Sequence, residues 1–272
     1  MSSIRCCVFD LDGTLLNSND KITPATRDTL IKLQEQGYYI VIATGRCDLQ
    51  ILQYIDELKI TGPVIACNGG YIKDIKTGKA LRARTFSPDR IRELIDYCNE
   101  NALDHMVYLK DRVYYADGSQ RALKFIKYNE NAKPEHRVPL CNIKDADMEY
   151  IYNNTLKLLV MGSPELKDVI DARFNRDGYF TAVMSGENLI DIMPGRTSKG
   201  EGVSFLADSL GIPLSQVAVF GDSPNDESML RVAGFPIAMG NAEPEIKELA
   251  CFVTRSNDDD GILHALRHFN VI

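Results

Sequence analysis

A chain of 272 residues with 44% hydrophobic side chains can bury about 70–75% of the surface its unfolded form exposes, so neither zinc nor disulfides are needed to hold it together. Its 19 glycines and 11 prolines are spread along the chain and 25% of residues are charged, which excludes collagen-like and globally disordered readings. The 31 basic against 38 acidic residues leave a net charge of -7, which sets nucleic acid aside as a main partner.

The seven cysteines include an adjacent pair, Cys6 and Cys7, and no C-x-x-C spacing, so they make neither a disulfide framework nor a zinc ribbon. A reducing, cytoplasmic setting fits them. Arg5, Asp10 and Asp12 break the first apolar stretch, which is therefore not read as a signal peptide. No apolar run reaches the roughly 18 residues of a membrane-spanning helix, and no membrane partner is expected.

In chain order, Cys6-Cys7-Val8-Phe9 is a continuous apolar run of the kind found in a parallel strand buried on both faces, and it stops at Asp10-Leu11-Asp12-Gly13. Thr23-Pro24 opens a helix with Leu30, Ile31 and Leu33 on its apolar stripe, and Gly37 closes it. Tyr38 to Ala43 is a second buried strand ending at Thr44-Gly45-Arg46. A helix over Asp48 to Leu58 leads to a third strand, Val64 to Cys67, which ends at Asn68-Gly69-Gly70. Strands that end in polar loops describe an open parallel sheet with ligands at its carboxyl edge.

From about Thr85 to Ser185 the pattern changes. A helix starts at Ser87-Pro88, alternating segments surround His105 to Tyr115, and a helix covers Gln120 to Tyr128. Pro134 and Pro139 mark a loop, Leu156 to Met161 a strand, and Ser163-Pro164 the start of another helix. Tyr108, Tyr114 and Tyr115 are read as packing residues on strands. The earlier rhythm returns with a helix over Lys199 to Leu210, strands at Gln216 to Phe220 and Phe235 to Met239, and helices near Glu245 and Ile262. The expected fold is α/β: a doubly wound, Rossmann-like parallel-sheet core over 1–84 and 186–272, with an inserted α+β cap over 85–185.

Four polar clusters sit where strands end or a helix begins. Asp10 and Asp12 are two apart, which on extended chain turns both carboxylates to one side, and Gly13 lets the backbone turn sharply after them. Acids so close call for a cation. A hard divalent ion with oxygen ligands, Mg2+ above all, fits, and Asp222 and Asp226 supply further carboxylates at another strand end. Thr44 offers a hydroxyl and Gly45 an unhindered N–H to a phosphoryl oxygen, while Lys199 offers a compact positive charge near a helix start. Together these are the parts of phosphoryl transfer through an aspartyl intermediate: Asp10 attacks phosphorus, and Asp12 serves leaving group and water in turn as acid and base.

Asp10-Leu11-Asp12-Gly13-Thr14-Leu15-Leu16, Ala43-Thr44-Gly45-Arg46, Ser198-Lys199-Gly200 and Gly221-Asp222-Ser223-Pro224-Asn225-Asp226 resemble, in order, the four motifs of haloacid dehalogenase (HAD) superfamily phosphatases. Their spread is similar to the Cof-type, C2-capped branch, as are Asn68-Gly69-Gly70, Asp191-Ile192-Met193-Pro194 before Lys199, and Ala238 to Ala242. The resemblance implies Asp10 as nucleophile, Asp12 as general acid/base, and Mg2+ on the Asp10 carboxylate, the Asp12 carbonyl oxygen and Asp222, with Asp226 in support. It implies Thr44, Gly45, Lys199 and Asn225 around the phosphoryl group, Arg46 and Asn68 facing substrate or cap, and Asn241 at the site edge. Asp191 stands where many relatives have Glu.

Bland readings compete at some positions. Arg46 fits an ion pair with Asp48 as well as a substrate contact. His264 and His268 have the i,i+4 spacing of zinc ligands but no third partner in sequence, and are read as part of an amphipathic terminal helix. Cys47 is read as a small buried thiol. The expected substrate is a small phosphorylated metabolite, a sugar phosphate in particular, and the expected state a monomer or weak homodimer. A phosphomutase of the same superfamily and a phospho-accepting signalling domain are the alternatives.

Overall fold

A computed structural model describes residues 3–175, 177–186 and 188–272. The chain opens with β1 (Cys6–Phe9), α1 (Pro24–Glu35), β2 (Tyr39–Ile42), α2 (Leu52–Glu57), β3 (Pro63–Ala66), β4 (Tyr71–Asp74) and β5 (Ala80–Ala83). It continues through α3 (Pro88–Glu100), β6 (His105–Tyr108), β7 (Val113–Tyr115), α4 (Gln120–Asn131), β8 (Leu140–Asn142), α5 (Met148–Asn154), β9 (Lys157–Met161), α6 (Pro164–Phe174), β10 (Phe180–Met184) and β11 (Leu189–Pro194). It closes with α7 (Lys199–Ser209), β12 (Val217–Gly221), α8 (Glu227–Val232), β13 (Phe235–Ala238), α9 (Pro244–Glu248), β14 (Phe252–Val253) and α10 (Gly261–His268).

Two compact units result. The first comprises Met1–Thr44, Tyr54–Leu81 and Ser198–Ile272, and the second Gly45–Gln53 and Arg82–Thr197. In the first, a wholly parallel sheet runs in the order β14-β13-β12-β1-β2. Its central strands β1 and β12 are apolar and buried at every position because both faces are covered. Cys6, Val8, Val41 and Val219 pack under Val203 and Leu206 of α7 and Met229 and Leu230 of α8. Cys7 and Phe9, which alternation turns to the other face, are equally buried, and α1 and α10, packed on each other, remain for that side. The start of α1 follows the sequence signals: Thr23 Oγ1 accepts from the Thr26 amide at 3.2 Å, and Pro24 takes the first helical position.

The third strand departs from the expected plan. Only a bridge from Ala43 to Ile65 continues the parallel sheet, and β3, β4 and β5 form a meander of their own. Positive φ angles at Cys67, Asn68 and Gly69 reverse the chain here, so that β4 returns antiparallel along β3.

The second unit is α+β, with a six-stranded sheet in the order β10-β11-β9-β6-β7-β8. Its pairs are antiparallel except β7 with β8. Ile91, Leu94 and Ile95 of α3 and Ile151 of α5 cover one face, on Val107, Leu158, Val160, Ile190 and Ile192. Tyr108 and Tyr114 are buried, in keeping with a packing role. The unit's limits differ from 85–185: residues 189–194 pair as β11 with β9 and β10, so this stretch completes the inserted sheet before the chain re-enters the first unit. Asp48 to Leu58 is likewise no single helix, but a 3-10 turn over Asp48–Gln50 followed by α2.

Candidate active site

Strand order decides where functional loops meet. From β1 the chain goes to β2 on one side, whereas β12 lies on the other, so a crevice opens between the carboxyl ends of β1 and β12. Register brings their carboxyl ends level: Phe9, the last residue of β1, pairs with Phe220, the two rings stack at 4.7 Å between centroids, and the Asp10 amide donates to the Phe220 carbonyl at 2.9 Å. Asp10 therefore leaves β1 beside Gly221-Asp222 leaving β12. Lys199 arrives on the first residue of α7, whose start is fixed by Ser198 Oγ accepting from the Glu201 amide at 3.2 Å. Gly200 lets α7 approach α8: a Cβ there would stand 2.2 Å from the Ser228 carbonyl oxygen. The turn Pro224–Asp226 then carries Asp226 beneath Lys199.

The Lys199 side chain is fully buried and its ammonium bridges two acids, donating to Asp10 Oδ1 at 2.5 Å and to Asp226 Oδ1 at 2.6 Å. Asp226 Oδ2 accepts from the amides of Asp222 (2.9 Å) and Ser223 (3.1 Å), so this one carboxylate ties the loop after β12 to the lysine. Asp222 accepts from Thr14 Oγ1 at 2.7 Å and from Ser223 Oγ at 2.9 Å. Charge is crowded here. Burial, and then the nearby Asp226 and Asp222, push the Asp10 carboxyl well above the usual range against the opposing pull of Lys199. Burial and Asp226 push Asp222 up to about 6. Burial pulls the Lys199 ammonium toward losing its proton, but Asp10 and Asp226 outweigh it and hold the group protonated, above the usual lysine range.

One oxygen from each of Asp10, Asp222 and Asp226 lies within 4.8 Å of the others, the only group of three metal-ligating side chains among the described residues. An all-carboxylate oxygen set suits a hard divalent cation, and three carboxylates beside one ammonium leave the cluster formally two positive charges short. Gly13 belongs to the same cradle. Its φ is +83°, and a Cβ would lie 2.4 Å from Asp222 Oδ2. Gly13→Ala is therefore expected to displace that carboxylate and to cost more than about 1 kcal/mol of stability. Urea denaturation and loss of metal-induced stabilisation check it; wild-type values for both would mean that the loop relaxes freely.

A family model described as haloacid dehalogenase-like hydrolase matches residues 7–266. The chain belongs to this family. Among curated relatives, the 5-amino-6-(5-phospho-D-ribitylamino)uracil phosphatase YwtE of Bacillus subtilis is 31% identical, with 96% of each chain covered. The pyridoxal phosphate phosphatase YbhA of Escherichia coli is 28% identical over 95% of this chain and 96% of its own. Among solved structures, BT1666 of Bacteroides thetaiotaomicron, from a study of HAD-superfamily phosphatases, superposes with a TM-score of 0.82 at 28% identity, covering 99% of this chain and 96% of its own. The chain is an HAD-type phosphatase, a hydrolase of phosphate esters.

In this HAD-like hydrolase the remaining sequence candidates fall into three groups. Asp10, Lys199, Asp222 and Asp226 converge as described. Thr44, buried at the end of β2, has its amide on the Ile65 carbonyl and its own carbonyl on the Asn68 amide, both at 2.9 Å. Asn225 Nδ2 donates to Asn68 Oδ1 at 3.3 Å, and Asn241 Nδ2 donates to the Gly13 carbonyl at 2.8 Å, so Asn241 steadies the turn after Asp10. Asp12 is exposed and lies outside the trio of converging acids; Gly45 and Arg46 are half-buried. Thr14 and Ser223, which carry no role from the sequence, stand inside two of the four motifs, and both hydroxyls hold Asp222. The rings of His264 and His268 stack on Phe252 at 5.6 and 4.0 Å, and Cys47 is a buried thiol pushed up to about 12, chiefly by burial.

Proposed function

We propose that this phosphatase hydrolyses small phosphate monoesters, sugar phosphates among them, through a phosphoryl group carried on Asp10, with Mg2+ as its cofactor. The observation that carries the reading is the Asp10 carboxylate, buried at the switch point of the sheet and bonded to Lys199 at 2.5 Å. The small phosphorylated compounds named for the curated relatives accord with it. Asp10, Asp222 and the Asp12 carbonyl oxygen would hold the ion, with Asp226 in support. When bound, Mg2+ offsets carboxylate and phosphoryl charge.

An oxygen of Asp10 attacks phosphorus while the ester oxygen departs, and Asp12 gives that alkoxide its proton. Asp12, now a carboxylate, takes a proton from the water that attacks the acyl phosphate, releasing inorganic phosphate and restoring Asp10. Lys199 spends two of its three N–H donors on Asp10 and Asp226, and the third is the one for a phosphoryl oxygen. The Thr44 hydroxyl, the Gly45 amide and Asn225 complete the grip, and Arg46 and Asn68 are assigned to the leaving group. A cytoplasmic location fits seven cysteines none of which is bridged, and no described helix is long and apolar enough to cross a membrane.

Phosphate release from a panel of sugar and other phosphate esters with Mg2+ tests the reading; no turnover of any ester would end it. Asp12→Ala is expected to slow turnover about 10²–10⁴-fold, the range of general acid–base catalysis, and unchanged turnover would remove its role. The metal assignment has a pH signature. The folded-state pKa of Asp222 is raised to about 6 from 3.8, so metal-free stability falls as pH rises through that window. A cation that replaces the proton reverses this loss. Mg2+ should therefore raise the melting temperature more at about pH 7.5 than at about pH 5, and equal shifts would detach the ion from these acids.

A further inference from the structure

The second unit contains a buried ion pair that the chemistry above leaves unused. Along β9, Leu158 and Val160 join the core beneath α3 and α5, and alternation turns Lys157 to the opposite face of the sheet. Asp191 of β11 lies opposite Leu159, which makes Lys157 its diagonal neighbour on the adjacent strand. Lys157 Nζ stands 2.8 Å from Asp191 Oδ1, with side chains only 4% and 1% exposed. Tyr108, directly opposite Lys157 on β6, holds its ring centroid 4.8 Å from the ammonium. The same Nζ donates to the carbonyl oxygen of Gly45 at 2.8 Å. Two apolar side chains would fill such a place at lower desolvation cost, so this pair calls for a reason other than stability.

Gly45 supplies one. Thr44 is fixed by the backbone bonds to Ile65 and Asn68, and Gly45, with no side chain, is permitted more backbone conformations than any other residue type, so a bond at its carbonyl oxygen restricts it the most. In a trans peptide the carbonyl and the following N–H point to opposite sides. Fixing the Gly45 carbonyl on Lys157 therefore fixes the whole Gly45–Arg46 peptide plane. We propose that Lys157 is a positioning residue for the turn Thr44-Gly45-Arg46, acting through the Gly45 carbonyl oxygen, while Asp191 balances its charge. This rests on the reading of that turn as the grip on the phosphoryl group.

The test compares the wild type with Lys157→Met/Asp191→Asn, which removes both charges and strands neither, and with Asp191→Asn, which keeps the bond to Gly45. Melting temperature, inhibition by inorganic phosphate, and kcat and KM for p-nitrophenyl phosphate are measured for each. The folded double variant should bind inorganic phosphate about 10-fold more weakly and lose about 10²-fold in kcat/KM, the scale set by a misplaced contact, while Asp191→Asn melts lower yet stays within about threefold. Wild-type phosphate inhibition in the folded double variant, or an equal loss in Asp191→Asn, overturns the proposal. If the double variant does not fold, Lys157→Gln/Asp191→Asn, with an amide too short to span both partners, is read by the same criteria. Asp10→Asn separates the two claims: if it still turns over, the parent reading fails, and if it is dead while the double variant matches wild type, only Lys157's role falls.

Discussion

Asp10→Asn should abolish turnover, by a factor on the order of 10⁴ or more, while leaving the protein folded and at least as stable as the wild type. The amide matches the carboxylate in shape and its Oδ1 can still accept from Lys199, so the existing 2.5 Å bond has a successor. What it lacks is nucleophilicity: an amide oxygen forms no acyl phosphate. The substitution also removes one of three buried acids whose mutual repulsion, together with burial, raises Asp10 and Asp222 above the ordinary carboxylate range. Relief of that repulsion offsets the weaker bond to the lysine. Released phosphate across an ester panel and a thermal melt check both halves. Turnover within about tenfold of wild type would remove Asp10 as nucleophile, because no group that touches phosphorus covalently is dispensable to that degree.

The parts of the site on the parallel sheet were legible in the sequence because each combines two independent signals. Cys6 to Phe9 and Val217 to Phe220 are apolar at every position, as strands covered on both faces must be, and an acid follows, directly at Asp10 and after Gly221 at Asp222. Lys199 reads as standing at a helix start, and α7 begins there in the structure, capped by Ser198. Other features depend on which strand pairs with which, and composition does not carry that. Residues 189–194 read as an approach to Lys199, yet they pair with β9 and β10. The return of β4 along β3 depends on left-handed backbone at Cys67, Asn68 and Gly69, and the turn residues Asn68 and Gly69 do not show that it extends back to Cys67. Lys157 carries no signal at all as a lone lysine on a strand; only register sets it against Asp191 and Tyr108. Thr14 was missed for the reverse reason: it sits in the clearest motif of the chain, where the two acids drew every role.

Lys199→Met tests the electrostatic frame rather than the nucleophile, and its effect should be large on stability as well as rate. Lys199 and Asp226 are fully buried and Asp10 nearly so, and the Lys199 ammonium rests on both carboxylates. Removing the cation leaves both acids dry and uncompensated, which costs about 3–5 kcal/mol when one partner of a buried pair is lost. The loss propagates, since Asp226 also holds the amides of Asp222 and Ser223 and thereby the loop after β12. Loss of a preorganised donor at the reacting group should in addition lower kcat about 10²–10³-fold. The sign of the pH dependence follows from Asp10. Lys199 is what opposes its upward shift, so without the lysine the folded-state pKa rises further above the unfolded value. The variant then gains stability as pH falls, because its folded state binds a proton that the unfolded state has released. Urea denaturation should show the deficit largest at about pH 7.5 and smaller at about pH 5. Lys199→Met/Asp226→Asn, with one acid neutralised, should recover part of the stability but none of the rate. Wild-type stability for Lys199→Met at neutral pH would mean that the lysine does not offset the acids it touches, and with it the account of a cation-deficient acidic site would fall.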